Sequence, residues 1–169
     1  GVCDTVNLGG RVGAEDFELS KNEKKLGIHL LGESIITELI ELSEIENEDL
    51  SLCAVLERHH GSGRIGRTFV TGLGLQKGAV ASTVAHDSHN IIVVGKNPGD
   101  MAIAVNRISE IGGGQLAVIN GDVISELPLP IAGLMSNKSP TETYRSLTEL
   151  NKTLAQNMGI QLEQPLMLI

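Results

Sequence analysis

Ala79-Val-Ala-Ser-Thr-Val-Ala-His86-Asp87-Ser88-His89-Asn90-Ile-Ile-Val-Val-Gly95 decides how this chain is read. Two short runs, mainly apolar and β-branched, flank five consecutive polar residues. Apolar runs of this length read as buried strands, and the join between them reads as a short loop. No Gly or Pro sets that turn. Asp87, Ser88 and Asn90 can close it through their side chains, whereas the histidines have no such role. A rigid pair of strands presenting reactive side chains on a short loop is a common way to build a site. The plainer reading is an Asx-type turn with solvated histidines.

On the amino-terminal side, residues 26–31 and 50–56 read as strands, and a β-branched run at 68–71 lies inside the Gly-rich stretch 61–78. Residues 34–42 are ambiguous: Ile35, Ile36, Leu39 and Ile40 fit a helical face, yet Ile-Ile-Thr also favours a strand. On the other side, Asn97 can cap a helix that opens on Pro98, with Asp100 three residues after the cap. Met101, Val105, Ile108 and Ile111 then recur at helical spacing, and Gly112 gives the stop. Residues 115–119 and 122–127 flank Asn120-Gly121, the strongest short hairpin signal. Leu127-Pro-Leu-Pro130 marks an extended connection. Ser139-Pro140-Thr141-Glu142 is a capping box, followed by a stripe of Tyr144, Leu147, Leu150, Leu154 and Met158 that ends at Gly159. Mostly strands, then helix, hairpin and helix: the order predicts an α+β fold, a mixed β-sheet with helices packed on one face.

At 169 residues the chain fits one domain, a size that buries roughly 70% of the unfolded surface. With no Trp, one Tyr (Tyr144) and two Phe (Phe17 and Phe69), the core must be aliphatic. A formal charge of −8 argues against nucleic acid or an anionic membrane as partner, because both need a positive surface. The acidic run 41–49 reads as a solvated loop. Cys3 and Cys53 suggest no disulfide framework, and no stretch resembles a membrane span or a leader, so a cytoplasmic location is expected. The polar segment 1–25 reads as a linker or an irregular entry, 26–159 as the folded domain and 160–169 as a truncated tail. A start without Met, a stop inside an apolar run and a slightly high mean hydropathy lead us to expect a piece of a larger protein, with apolar surface that meets the missing part. A processed domain with a frayed tail is the alternative.

Two further motifs carry possible chemistry. Gly61-Ser-Gly63-Arg-Ile-Gly66 matches the dinucleotide fingerprint letter for letter, with Asp87 about twenty residues on. The glycines of that fingerprint must open a helix, however, and Gly72, Gly74 and Gly78 interrupt the segment where that helix would run. In Glu57-Arg58-His59-His60, an extended chain puts Glu57 and His59 on one face and Arg58 and His60 on the other. A carboxylate beside an imidazole suits general acid–base work; an exposed strand end with a salt-bridged Arg58 is the structural alternative. His86, Asp87 and His89 are all possible metal ligands, but the His-x-His and His-x-x-x-His spacings of common zinc hydrolases are absent. Substrate or proton contact is the preferred role, and no residue is assigned to a metal. Cys53 and His29 sit in apolar strands and read as core.

The blocks Glu57-Arg-His-His-Gly-Ser-Gly-Arg-Ile-Gly66, Gly78 to Gly95 and Leu127-Pro-Leu-Pro-Ile-Ala-Gly-Leu-Met-Ser136 resemble the C-terminal domain of bacterial adenine deaminase. Asp100–Arg107 and Gly112–Gly114 match as well, and the likeness runs from about Ala14 to Gly159. It implies a parent in the metal-dependent amidohydrolases, with manganese or iron held by a barrel domain that this sequence lacks. The implied reaction turns adenine and water into hypoxanthine and ammonia, and the isolated chain is expected to be inactive. The implied partners are that barrel and adenine, with a homo-oligomer possible and neither nucleic acid nor membrane involved. This domain is then expected to be a lid or wall beside the barrel mouth. His86, His89 and Asp87 are its catalytic candidates; Ser88, Asn90, Glu57, His59 and His60 are its substrate-binding candidates. A non-catalytic packing or oligomerisation module, and a nucleotide-binding domain using 61–66, are the competing readings.

Overall fold

A computed structural model describes residues 3, 5–19, 26–32, 36–42, 49–86, 88–162 and 165–167. Among the described residues, eight strands form one mixed sheet. They are β1 (Leu26–Leu30), β2 (Thr37–Glu41), β3 (Ser51–Leu56), β4 (Ile65–Thr71), β5 (Ala79–Ser82), β6 (Ile91–Gly95), β7 (Gly114–Ile119) and β8 (Asp122–Pro128). Their spatial order is β2-β1-β4-β3-β6-β5-β7-β8, with β1 and β4 parallel and the other neighbours antiparallel. The ambiguous 34–42 stretch resolves as the edge strand β2; residues 33–35 lie outside the described set.

Two helices, α1 (Pro98–Glu110) and α2 (Pro140–Met158), cover the sheet. Ala79, Ala81, Ile91 and Val93 pack with Met101, Val105 and Ile108 of α1. Val80, Val94 and Ala117 pack with Leu150, Leu154 and Met158 of α2. Successive side chains of a strand point to opposite faces, so the helices lie on opposite faces. The α+β class and the mixed sheet hold, while the expectation of helices on one face is corrected. The physical reason is visible in β5 and β6, whose consecutive residues are apolar because each face of the sheet centre has its own cover.

The local signals act as expected. Asn97 accepts a hydrogen bond from the Asp100 N–H at 2.8 Å, with Pro98 opening α1. Ser139 and Glu142 cap α2 reciprocally, and Gly159 closes it left-handed at φ 85°. Asn120 (φ 52°) and Gly121 (φ 88°) make the tight turn between β7 and β8. The buried Asp100 carboxylate accepts from Gly121 N at 2.8 Å and from Asn120 N at 3.2 Å, which ties the start of α1 to the hairpin. Along α2 the stripe is buried only in its C-terminal half: Leu147 is half-buried and Tyr144 is 71% exposed. Helical periodicity therefore marks a longer face than the sheet covers.

Near the amino terminus, Ala14–Phe17 forms a 3₁₀ turn, and Leu8 and Phe17 join the core on the α1 side. Of the acidic run, residues 43–48 lie outside the described set, while the Asp49 carboxylate accepts from the N–H groups of Gly72 and Gly74. No helix among the described residues is long and apolar enough to cross a membrane.

Candidate functional site

Leu56 pairs with Ile91 across β3 and β6, so the end of β3 and the start of β6 are neighbours. This register brings the two polar segments together. The connection from β5 to β6 is pinned at its root by Thr83, whose N–H donates to Gly114 O at 3.0 Å and whose Oγ1 accepts from Gly114 N at 2.9 Å. Farther on, His89 N donates to Ala85 O at 2.7 Å, which closes the loop on itself. His86 and Ser88 are exposed, and His89 and Asn90 are half-buried. Asp87, a catalytic candidate, lies outside the described residues.

Across from this loop, His59 Nε2 lies 3.1 Å from Ser88 O. Among the described residues, two side-chain atoms beside that contact, His89 Nδ1 and Asn90 Oδ1, are buried without a hydrogen-bond partner. Buried polar atoms are almost always paired, so these two adjacent residues hold hydrogen-bonding capacity that the other described residues do not use. Imidazole as a chemical type both gives and takes protons near neutral pH. The arrangement therefore offers proton transfer and hydrogen bonding at one spot.

The Glu57–His60 segment departs from its expected geometry. β3 ends at Leu56, so the alternation of faces stops there and the chain turns. Glu57 folds back and accepts from the N–H groups of His59, His60 and Ser62 and from the Ser62 hydroxyl, with His60 Nδ1 at 3.2 Å. His60, not His59, is thus the imidazole paired with Glu57. Partial burial pushes the Glu57 carboxyl up, but the bonds from Ser62 Oγ and the three N–H groups outweigh it and hold it well below the usual carboxylate range. Glu57 is accordingly occupied in shaping the 57–62 turn. His59 reaches the loop directly; both imidazoles are exposed, with ring centroids 6.4 Å apart.

Arg58 is the residue the sequence misjudged. It is 1% exposed, not a solvated strand end, and among the described residues it pairs with main-chain carbonyls and a hydroxyl instead of a carboxylate. Burial pushes its pKa down from the ordinary guanidinium value. An Arg two residues past an apolar strand, followed by two histidines, was the signal available for it.

Other candidates fall into structural roles. His29 Nδ1 lies 2.8 Å from Thr71 Oγ1, and the Cys53 thiol is pushed up to about 12 by burial. Gly66 of the dinucleotide-like motif lies inside β4, so no helix N-terminus succeeds those glycines to hold a pyrophosphate. Among the described residues no three His, Cys, Asp or Glu side chains cluster so as to hold a metal.

The adenine deaminase C-terminal domain family model matches residues 34–169. A protein named adenine deaminase from Desulfatibacillum aliphaticivorans is 51% identical over 126 residues, covering 75% of this chain and 22% of its own length. One of the same name from Moorella thermoacetica is 50% identical over 119 residues, covering 70% of this chain and 20% of its own. Another from Brucella anthropi is 43% identical over 165 residues, covering 92% of this chain and 29% of its own. The chain thus spans between a fifth and a third of the length of these relatives. With the match covering most of its residues, the chain belongs to the adenine deaminase C-terminal domain family.

Proposed function

We propose that this domain forms a wall of an adenine deaminase active site, with the 86–90 loop facing the purine. The observation that carries the reading is a pair of buried atoms, His89 Nδ1 and Asn90 Oδ1, without a partner among the described residues and beside the His59–Ser88 contact. In the reaction, water adds at C6 of adenine, the bond to the exocyclic amino group breaks, and that nitrogen leaves as ammonia after taking up a proton. His86 and His89 carry protons between the water and the leaving nitrogen. Ser88, Asn90 and His59 offer hydrogen bonds to the purine edge, while Glu57 and His60 brace the turn that carries His59. Asp87 keeps its assignment as the third catalytic candidate.

The family resemblance brings manganese or iron and a barrel domain into this reading. The described residues offer no ligand cluster of their own, and this reading assigns no residue of the chain to the metal. The isolated chain is proposed to be inactive, and its parent to be a cytoplasmic hydrolase. A second reading, a packing or oligomerisation module, draws on the edge strand β2, its approach and the neighbouring β1, where Leu39, Ile36 and Leu26 are 72%, 62% and 46% exposed.

Steady-state kinetics of His86→Ala and His89→Ala in a full-length adenine deaminase carrying this domain separate the two. The wall reading expects turnover to fall at least ~10-fold, and up to the ~10²–10⁴ of an acid–base group, at unchanged melting temperature. Normal turnover in both variants, with or without a lowered melting temperature, refutes it.

A further inference from the structure

Three non-glycine residues among those described have positive φ: His89 at 50°, Asn120 at 52° and Ala132 at 57°. Asn120 is explained by its hairpin. The other two share a feature: each gives its main-chain carbonyl to Arg58. Nε of Arg58 donates to His89 O, and Nη2 donates to Ala132 O at 3.0 Å. Nη1 reaches Thr5, at 3.2 Å from Oγ1 and 3.4 Å from O. The left-handed region is costly for a residue with a Cβ, and alanine has no side-chain polar group to compensate. Such conformations persist where the surroundings over-determine them.

The turn that holds Ala132 closes on the same guanidinium. Ile131 and Met135 form an isolated bridge, and a Cβ on Gly133 would stand 2.7 Å from Nη1 of Arg58. Thr83, at the root of the histidine loop, donates its hydroxyl to Gly133 O. The 86–90 loop and the 131–135 turn are therefore tied twice, once through Thr83 and once through Arg58.

We infer that Arg58 is the positioning residue of this site: its guanidinium holds His89 and Ala132 in left-handed conformations and locks the 86–90 loop and the 131–135 turn into one unit. The 131–135 turn is then part of the wall, although no chemical group on it suggested so. The planar guanidinium spreads its donors over a fixed fork that reaches carbonyls on separate segments; a lysine ammonium is a compact charge on a flexible stem and does not keep those directions. That the unit serves catalysis rests on the function proposed above; that it exists as a unit does not.

The test uses Arg58→Met and Arg58→Lys in a full-length adenine deaminase carrying this domain, with hydrogen exchange and steady-state kinetics read together. Exchange in peptides covering 86–90 and 131–135 should rise together by at least ~10-fold in both variants, while α1 and the β7–β8 hairpin keep their protection. Turnover should fall at least ~10-fold with KM changed less than ~3-fold, because a misplacement of about 1 Å is costly to a reacting geometry and slight for binding. Acceleration in one segment only, no acceleration, or full rescue by lysine overturns the inference. So does loss of protection throughout the domain in Arg58→Lys, which also stands in if Arg58→Met does not fold. Coupled exchange here, alongside normal turnover in His86→Ala and His89→Ala, would leave the positioning role standing and refute the catalytic reading. Lost turnover in the histidine variants with unchanged exchange in the arginine variants would do the reverse.

Discussion

Asp100→Ala should cost this fold about 2–3 kcal/mol, more than its position in a first helical turn suggests. The carboxylate is buried and accepts three hydrogen bonds: Gly121 N at 2.8 Å, Asn120 N at 3.2 Å and Asn97 Nδ2 at 2.9 Å. Bonds to a charged acceptor contribute roughly 1.5–3 kcal/mol each when their donors stay dry. Here the two turn amides belong to exposed residues, Asn120 and Gly121, so water recovers part of the loss and about 1 kcal/mol each is the better figure. The charge at the helix start adds about 0.5 kcal/mol. Asp100→Asn keeps one accepting oxygen and should cost about half as much. Urea unfolding of the chain at neutral pH reads the difference: with a slope of about 2 kcal/mol per M, the midpoint should drop by about 1–1.5 M for alanine at unchanged slope. A drop below about 0.3 M, or equal damage from both variants, would refute the claim that this carboxylate joins α1 to the hairpin.

Leu154→Ala should destabilise by about 2–5 kcal/mol through the cavity it leaves, whereas Tyr144→Ala should stay within about 0.5 kcal/mol; equal effects in urea melts would contradict the burial of only half the α2 stripe. Acid should loosen the 57–62 turn through Glu57. Its folded pKa is depressed below the ordinary 4.5, so its contribution is complete above that value and is lost as pH falls through the lower folded one. The protection of the His59 and His60 amides, taken relative to the intrinsic exchange rate at each pH, should fall on acidification, and Glu57→Gln should abolish that pH dependence; the same fall in both proteins would refute the role of the carboxylate.

How much was legible depended on how local each signal was. Asn97-Pro98 with Asp100, Ser139-Pro140 with Glu142, and Asn120-Gly121 each act within a few residues of themselves, and all three formed as read. The placement of the helices needed more. The unbroken apolar runs at Ala79–Ser82 and Ile91–Gly95 carry the mark of strands covered on both faces, yet the sequence does not say which helix covers which face. Within the site, the meeting of His59 with the 86–90 loop depends on the Leu56–Ile91 register, a non-local pairing that no motif encodes. Arg58 shows the same limit more sharply. Its charge predicts exposure, and only the assembled fold supplies the carbonyls that make burial tolerable.

The central claim is that the 86–90 loop faces the purine, and geometry tests it before kinetics does. The measurement is a crystal structure of a full-length adenine deaminase carrying this domain, with hypoxanthine bound. The expected result is a ring nitrogen of His86 or His89 within about 3.2 Å of the purine or of one bridging water, and Asn90 Oδ1 paired with ligand or water. A loop that packs on another part of the protein, with the purine reached by none of His59, His86, Ser88, His89 or Asn90, would contradict it.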